Sequence, residues 1–111
     1  MSGPVIVGIS GASGIIYGVR ALELLRDCGV QTHLVMSKSA RLTLQHELDM
    51  PVSAVENLAS HVHRPGDVGA SIASGSFATA GMLIAPCSVR SMSEIATGVT
   101  STLLTRAADV V

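Results

Sequence analysis

Charge is scarce in this chain. Only 14% of its 111 residues are Asp, Glu, Lys or Arg, and seven basic against eight acidic residues leave a net charge of −1. The basic residues are scattered from Arg20 to Arg106 without forming a stripe or tail, so nothing favours nucleic acid or an anionic membrane as a partner. Tryptophan is absent, and Tyr17 and Phe77 are the only aromatics. Cys28 and Cys87 stand far apart and form no CxxC, which removes the usual signals for zinc or a redox pair, and no metal site is expected. No run reaches the roughly 18 apolar residues of a membrane span. The N-terminus lacks a basic opening and is broken by Gly8, Gly11 and Gly14, unlike a signal peptide. Two thiols without a secretory signal point to the cytoplasm.

Apolar side chains are abundant instead. Hydrophobic residues make up 48% of the chain, and the mean hydropathy is +0.52. That is too apolar for a monomer covering its own surface, so neighbouring subunits or a further segment are expected to bury part of it. The length fits one domain, 1–111.

Residues 4–10 (PVIVGIS) form a β-branched run that reads as a buried strand. Over 14–28, Ile15, Val19, Leu22 and Leu25 recur at helical spacing, and Gly29 is placed to end the helix. A second strand is predicted over 30–36, and Ser37 is a candidate N-cap for a helix running toward Glu47. Ser53 and Glu56 have capping-box spacing after Pro51. Residues 69–81 read as a small-residue loop, 82–86 as another buried strand, and 88–96 and 101–111 as helices. Strand–helix–strand units of this length predict an α/β fold, with a parallel sheet flanked by helices.

In such sheets ligands bind beyond the carboxyl ends of the strands, where helix N-termini present free N–H groups. The segment SGASG, 10–14, stands at such a place, as does PCSVRS, 86–91. A plain tight turn at the first and an ordinary Ser88 N-cap at the second remain open readings. A dinucleotide fingerprint requires GxGxxG and an acid about 20 residues on. Here the glycines are Gly8, Gly11, Gly14 and Gly18, and the second strand ends in Ser37 and Lys38. Hydroxyls at Ser10, Ser13 and Ser37 suit one phosphate or a ribityl chain better, so a mononucleotide is favoured.

The ordered blocks VGISGASGIIYGVRALELLRD, THLVMSKSAR, HELD, ASGSF, APCSVRSMSEIATG and LLTRAADVV resemble the UbiX-type flavin prenyltransferases, formerly described as aromatic-acid decarboxylase subunits. PCSVRS is also similar to the PASANT-type motif of flavin-binding cysteine decarboxylases, although none of the four histidines stands in a matching block. The resemblance implies a three-layer, flavodoxin-like domain that binds FMN without a metal. It implies FMN contacts from Gly11, Ala12, Ser13, Ser37, Ser88, Val89, Arg90 and Ser91. Ser13 and Glu47 are implied as catalytic, and Ser74, Gly75 and Arg106 as binding the prenyl phosphate. The implied reaction moves a dimethylallyl group from dimethylallyl phosphate to reduced FMN, for use by a UbiD-type decarboxylase, in a homo-oligomer that is typically a dodecamer.

Spacing alone leaves open the rival readings of Glu47 and Asp49 as solvated acids, Arg106 as a surface residue and residues 74–76 as a flexible linker. His61 and His63 read as loop residues, and Cys87 as a small buried one. Family chains continue past LLTRAADVV, so this one resembles about the first three-fifths of a member and is expected to expose a sheet edge. Thr100, Ser101 and Thr102 stand where members usually carry Asp or Asn. Two other functions remain: an FMN-binding module without turnover, and a short-chain dehydrogenase, since SGASG is superficially like TGASG loops.

Overall fold

A computed structural model of the chain describes residues 3–67 and 69–111. The β-branched run becomes β1 (Val5–Ile9), with Ile6 pointing to one face of the sheet and Val7 and Ile9 to the other. The polypeptide continues through α1 (Ile15–Asp27), β2 (Thr32–Met36), α2 (Lys38–Glu47), α3 (Val52–Glu56) and β3 (His61–His63). A 3-10 turn (Ser71–Ala73), β4 (Gly81–Ile84), α4 (Val89–Thr97) and α5 (Leu103–Val110) complete it. The four strands run parallel in the order β3-β2-β1-β4, with Val7 opposite Leu34 on one side and Leu83 on the other.

Helices cover both faces, as the flavodoxin-like expectation requires. On one face Val7, Ile9, Leu34 and Met36 pack with Ile15, Val19 and Leu22 of α1, Ala40 and Leu44 of α2, and Val55 of α3. On the other, Ile6 and Val35 meet Ile72 and Ala73 of the 3-10 turn and Leu103, Leu104 and Ala107 of α5. Gly18 lets α1 lie close. A Cβ there would come within 2.8 Å of the Ile9 side chain and collide with the Ala85 carbonyl. Among the described residues no helix is long and apolar enough to cross a membrane.

Several local expectations change. Residues 61–63 form a strand rather than a loop. Its only apolar residue is Val62, so no hydrophobic alternation marks it; pairing to β2 and reciprocal bonds between Thr32 and Ser60 (3.0 and 3.2 Å) set its register. α3 begins at Val52 behind Pro51, and Ser53 provides no side-chain cap. Proline's fixed φ suits a helix start, and it displaces the capping-box reading. The stretch 69–81 contains the 3-10 turn because Ile72 and Ala73 are buried against α5. β4 is an edge strand among the described residues, and Leu83 is 42% exposed rather than buried. Cys87 is exposed, since it lies on the turn beyond that edge.

His33, on β2, is buried beside β3. Its Nδ1 lies 2.8 Å from Nε2 of His63, its ring stacks 4.5 Å from that of His61, and the edge of Phe77 closes the group. Burial, then the neighbouring His61 and His63, push the His33 pKa down to about 4. The unfolded chain therefore binds more protons than the folded one between about pH 6.5 and 4. Stability should be complete above that window and fall as the pH drops through it. Urea midpoints measured at pH 7 and pH 5 should show this loss, and His33→Leu should flatten it.

Candidate functional site

Three helix starts face one cleft above the carboxyl ends of β2 and β4. At α2 the Ser37 side chain accepts the Ala40 N–H (3.1 Å), and its hydroxyl lies 3.2 Å from that of Ser39. At α4 the Ser88 side chain accepts the Ser91 N–H (3.1 Å). At α5 Thr102 and Thr105 form a reciprocal capping box, and the Leu103 N–H reaches the Pro65 carbonyl (3.0 Å). None of these helices has an acid in its first turn. Acids are favoured there because they offset the positive end of the helix dipole, and these first turns supply no such offset.

The cleft encloses about 410 Å³, within the range of small-molecule sites. Its walls are Ser37, Lys38 and Ser39, then Pro65 and Gly66, then Ser88, Arg90, Ser91 and Glu94, then Ser101, Thr102 and Thr105. Ser10 braces the Ser88 edge of the cleft. It is almost fully buried; its hydroxyl donates to the Pro86 carbonyl (2.8 Å) and accepts the Ser88 N–H, tying the first loop to the α4 start. Glu94 accepts from the Ser101 hydroxyl (2.7 Å) and from Arg90 Nε (3.1 Å). The Ser101 hydrogen bond and, after it, Arg90 hold its carboxyl below the usual carboxylate range.

The first loop abuts this cleft. A Cβ on Gly11 would come within 2.6 Å of the Ser39 Cβ, so only glycine lets the loop and the α2 start touch. Gly14, in the left-handed region (φ 96°), begins α1 without a side-chain cap of its own. Glu47 supplies one from the end of α2, its Oε1 accepting the N–H groups of Gly14 and Ile15, each at 3.2 Å. The positive end of α1 is thus met by the chain's own carboxylate, beside the exposed Ser13.

Of the residues expected to bind FMN, Ser37, Ser88, Arg90 and Ser91 line the cleft, and Gly11 packs against its wall. Ala12 and Ser13 follow Gly11 on the same loop, and Val89 stands exposed between Ser88 and Arg90. Ser74 and Gly75 lie elsewhere, in a hollow of about 510 Å³ where β4 begins and α5 ends. Arg106 is exposed, its Nε donating to the Ala73 carbonyl (3.3 Å), and it lines neither cavity. Lys38, Ser39, Pro65, Gly66, Glu94, Ser101, Thr102 and Thr105 are cleft residues that sequence reasoning missed. The Thr102 and Thr105 spacing was a legible capping signal; Pro65 and Gly66 gave none. Cys87 has its thiol pKa raised by partial desolvation, which disfavours the nucleophilic thiolate.

The Flavoprotein family model matches residues 2–111. The chain belongs to the Flavoprotein family. It is 56% identical over 106 residues to the flavin prenyltransferase UbiX of Thauera aromatica, covering 96% of this chain and 55% of that relative. The crystal structure of AnUbiX (PadA1) in complex with FMN and dimethylallyl pyrophosphate superposes with a TM-score of 0.96 at 40% identity, over 99% of this chain and 58% of that one. A dodecameric FMN-dependent UbiX-like decarboxylase from Escherichia coli O157:H7 gives a TM-score of 0.94 at 44% identity, over 96% and 59%. The chain therefore spans little more than half the length of these relatives.

Glu47→Ala should uncap α1 and cost about 1 kcal/mol of stability, the usual scale for a lost N-cap. Chemical denaturation at neutral pH would measure it, and Glu47→Gln, which keeps an acceptor oxygen, should lose less.

Proposed function

We propose that this chain forms the FMN-holding portion of a flavin prenyltransferase, which transfers a dimethylallyl group from dimethylallyl phosphate to reduced FMN. The observation that carries the reading is the convergence of the α2, α4 and α5 starts on one hydroxyl-lined cleft without first-turn acids. Such a cleft fits a singly phosphorylated tail. The likeness to AnUbiX, a protein solved with FMN and dimethylallyl pyrophosphate, supports the same ligand here.

Ser37, Ser88, Arg90 and Ser91 would hold the FMN tail, with Gly11, Ala12 and Ser13 closing over it. When bound, reduced FMN supplies the electron-rich ring that accepts the dimethylallyl group, as the allylic carbon–oxygen bond breaks and phosphate leaves with its electron pair. The chain's own part is to orient both partners, stabilise the departing anion with N–H groups and cations, and move protons. Ser13, next to Gly14, and Glu47, which caps the Gly14 N–H, are the proposed groups for the last task. Ser74, Gly75 and Arg106 are the proposed contacts to the prenyl phosphate. Prenylated FMN would then serve a UbiD-type decarboxylase. Homo-oligomerisation, a dodecamer by resemblance, is supported by exposed apolar residues on α1 and α4: Tyr17 is 70%, Val89 75% and Met92 57% exposed.

A second reading, FMN binding without turnover, is favoured by the position of Ser74, Gly75 and Arg106 outside the cleft. A dehydrogenase is disfavoured by Ser37 and Lys38 where a ribose-binding acid would stand. Anaerobic incubation with reduced FMN and dimethylallyl phosphate, followed by mass spectrometry of the flavin, separates the readings. The transferase predicts a flavin heavier by one dimethylallyl unit. Bound but unmodified FMN would support the second reading, and no bound flavin would overturn both.

A further inference from the structure

We infer that the His33–His63 pair is a proton-operated clasp: it holds β3, and with it the Pro65 and Gly66 wall of the cleft, and it opens when both rings are protonated. Parallel register sets His33 opposite His61 and brings His63 onto the same sheet face two residues later. His33 is buried, its Nδ1 lies 2.8 Å from His63 Nε2, and its ring centroid is 4.5 Å from that of His61 and 5.1 Å from that of His63. The rings stack rather than converge, and among the described residues no group of His, Cys, Asp and Glu is arranged to hold a metal.

A nitrogen pair at hydrogen-bonding distance needs one donor and one acceptor. Two neutral imidazoles meet that need, and so does one imidazole with one imidazolium. Two imidazoliums do not: both nitrogens carry protons, the bond is lost and like charges face each other. Burial lowers the His63 pKa while Asp67 works against that shift; burial, then His61 and His63, hold His33 at about 4. Of the pair, His63 therefore takes the first proton, and the second, on His33, opens the clasp. Arg64, and Arg106 and Asp109 on α5, are exposed and shift neither ring.

Little else holds β3. It is a three-residue edge strand among the described residues, its Val62 is exposed, and beyond its pairing to β2 the Thr32 and Ser60 bonds tie only its start. It runs into a turn closed by the Asp67 N–H on the Arg64 carbonyl (3.1 Å), which carries Pro65 and Gly66 into the cleft wall. The Pro65 carbonyl accepts the Leu103 N–H (3.0 Å), so release of β3 frees that wall from the α5 start.

The test is hydrogen-exchange protection of single amides, measured by NMR on the whole chain from pH 7 through the His33 transition while the histidine ring signals are followed. As His33 titrates, Leu103 protection should fall about tenfold, the scale of one hydrogen bond. The Ala40 amide, held by Ser37 on the α2 wall, and the Val7 amide of β1 should keep theirs. In His63→Gln the side-chain amide can donate to His33 or accept from it, so the Leu103 response should vanish. His61→Phe keeps a stacked ring but removes an imidazole that resists charge on His33, so the midpoint should move to higher pH. That arm decides the matter even if His63→Gln does not fold. Leu103 protection that stays constant as His33 titrates, falls equally in His63→Gln, or is lost together with that of Ala40 and Val7 would overturn the inference, as would an unmoved midpoint in His61→Phe.

Discussion

Every α-helix begins with N–H groups that its own turns cannot satisfy, and the distribution of acids decides what meets them. In this fold the parallel sheet puts the starts of α1, α2 and α4 along one rim, and α5 joins them through its contact with Pro65. At α1 the chain supplies its own anion, Glu47. At α2, α4 and α5 the side-chain caps are hydroxyls and the first turns hold no acids, while Glu94, beside Ser101 ahead of α5, is paired with Arg90. The contrast directs an incoming anion to one place. The buried Ser10 hydroxyl keeps the geometry, because it links the β1 end to the α4 start through Pro86 and Ser88.

That constraint also orders the remaining structure. Gly11 and Gly18 lack side chains where the first loop and α1 must approach Ser39 and Ala85. The apolar residues of β1 and β2 divide between two cores, so helices on both faces fix where their own starts fall. The β4 and α4 side of the molecule is less finished. β4 has a free edge among the described residues, and α4 buries none of its side chains although Val89 and Met92 are apolar. These features agree with the charge-poor, apolar composition, which already called for further buried surface.

Much of this was legible in the residues. β-branched runs and helical spacing gave β1, α1, β2 and α2 to within a residue or two, since local pattern and burial coincide there. Ser37 and Ser88 were readable as caps because capping is a local interaction. β3 was not legible: His61 and His63 take strand form through pairing to β2 and contact with His33, a partner 28 and 30 residues away. The role of Glu47 at the α1 start likewise spans 33 residues and has no periodic signature. Pro65 and Gly66 entered the cleft only because α5 packs beside them. The family resemblance supplied the expected FMN contacts as a set, and the fold gathers the Ser37 and Ser88 edges of that set around one cleft.

A crystal structure of the protein soaked with FMN tests the central claim most directly. The account predicts the phosphate within hydrogen-bonding distance of the α2 start, with the Ser37 hydroxyl among its partners. A phosphate beside Glu47 at the α1 start, or in the hollow lined by Ser74 and Gly75, would contradict it.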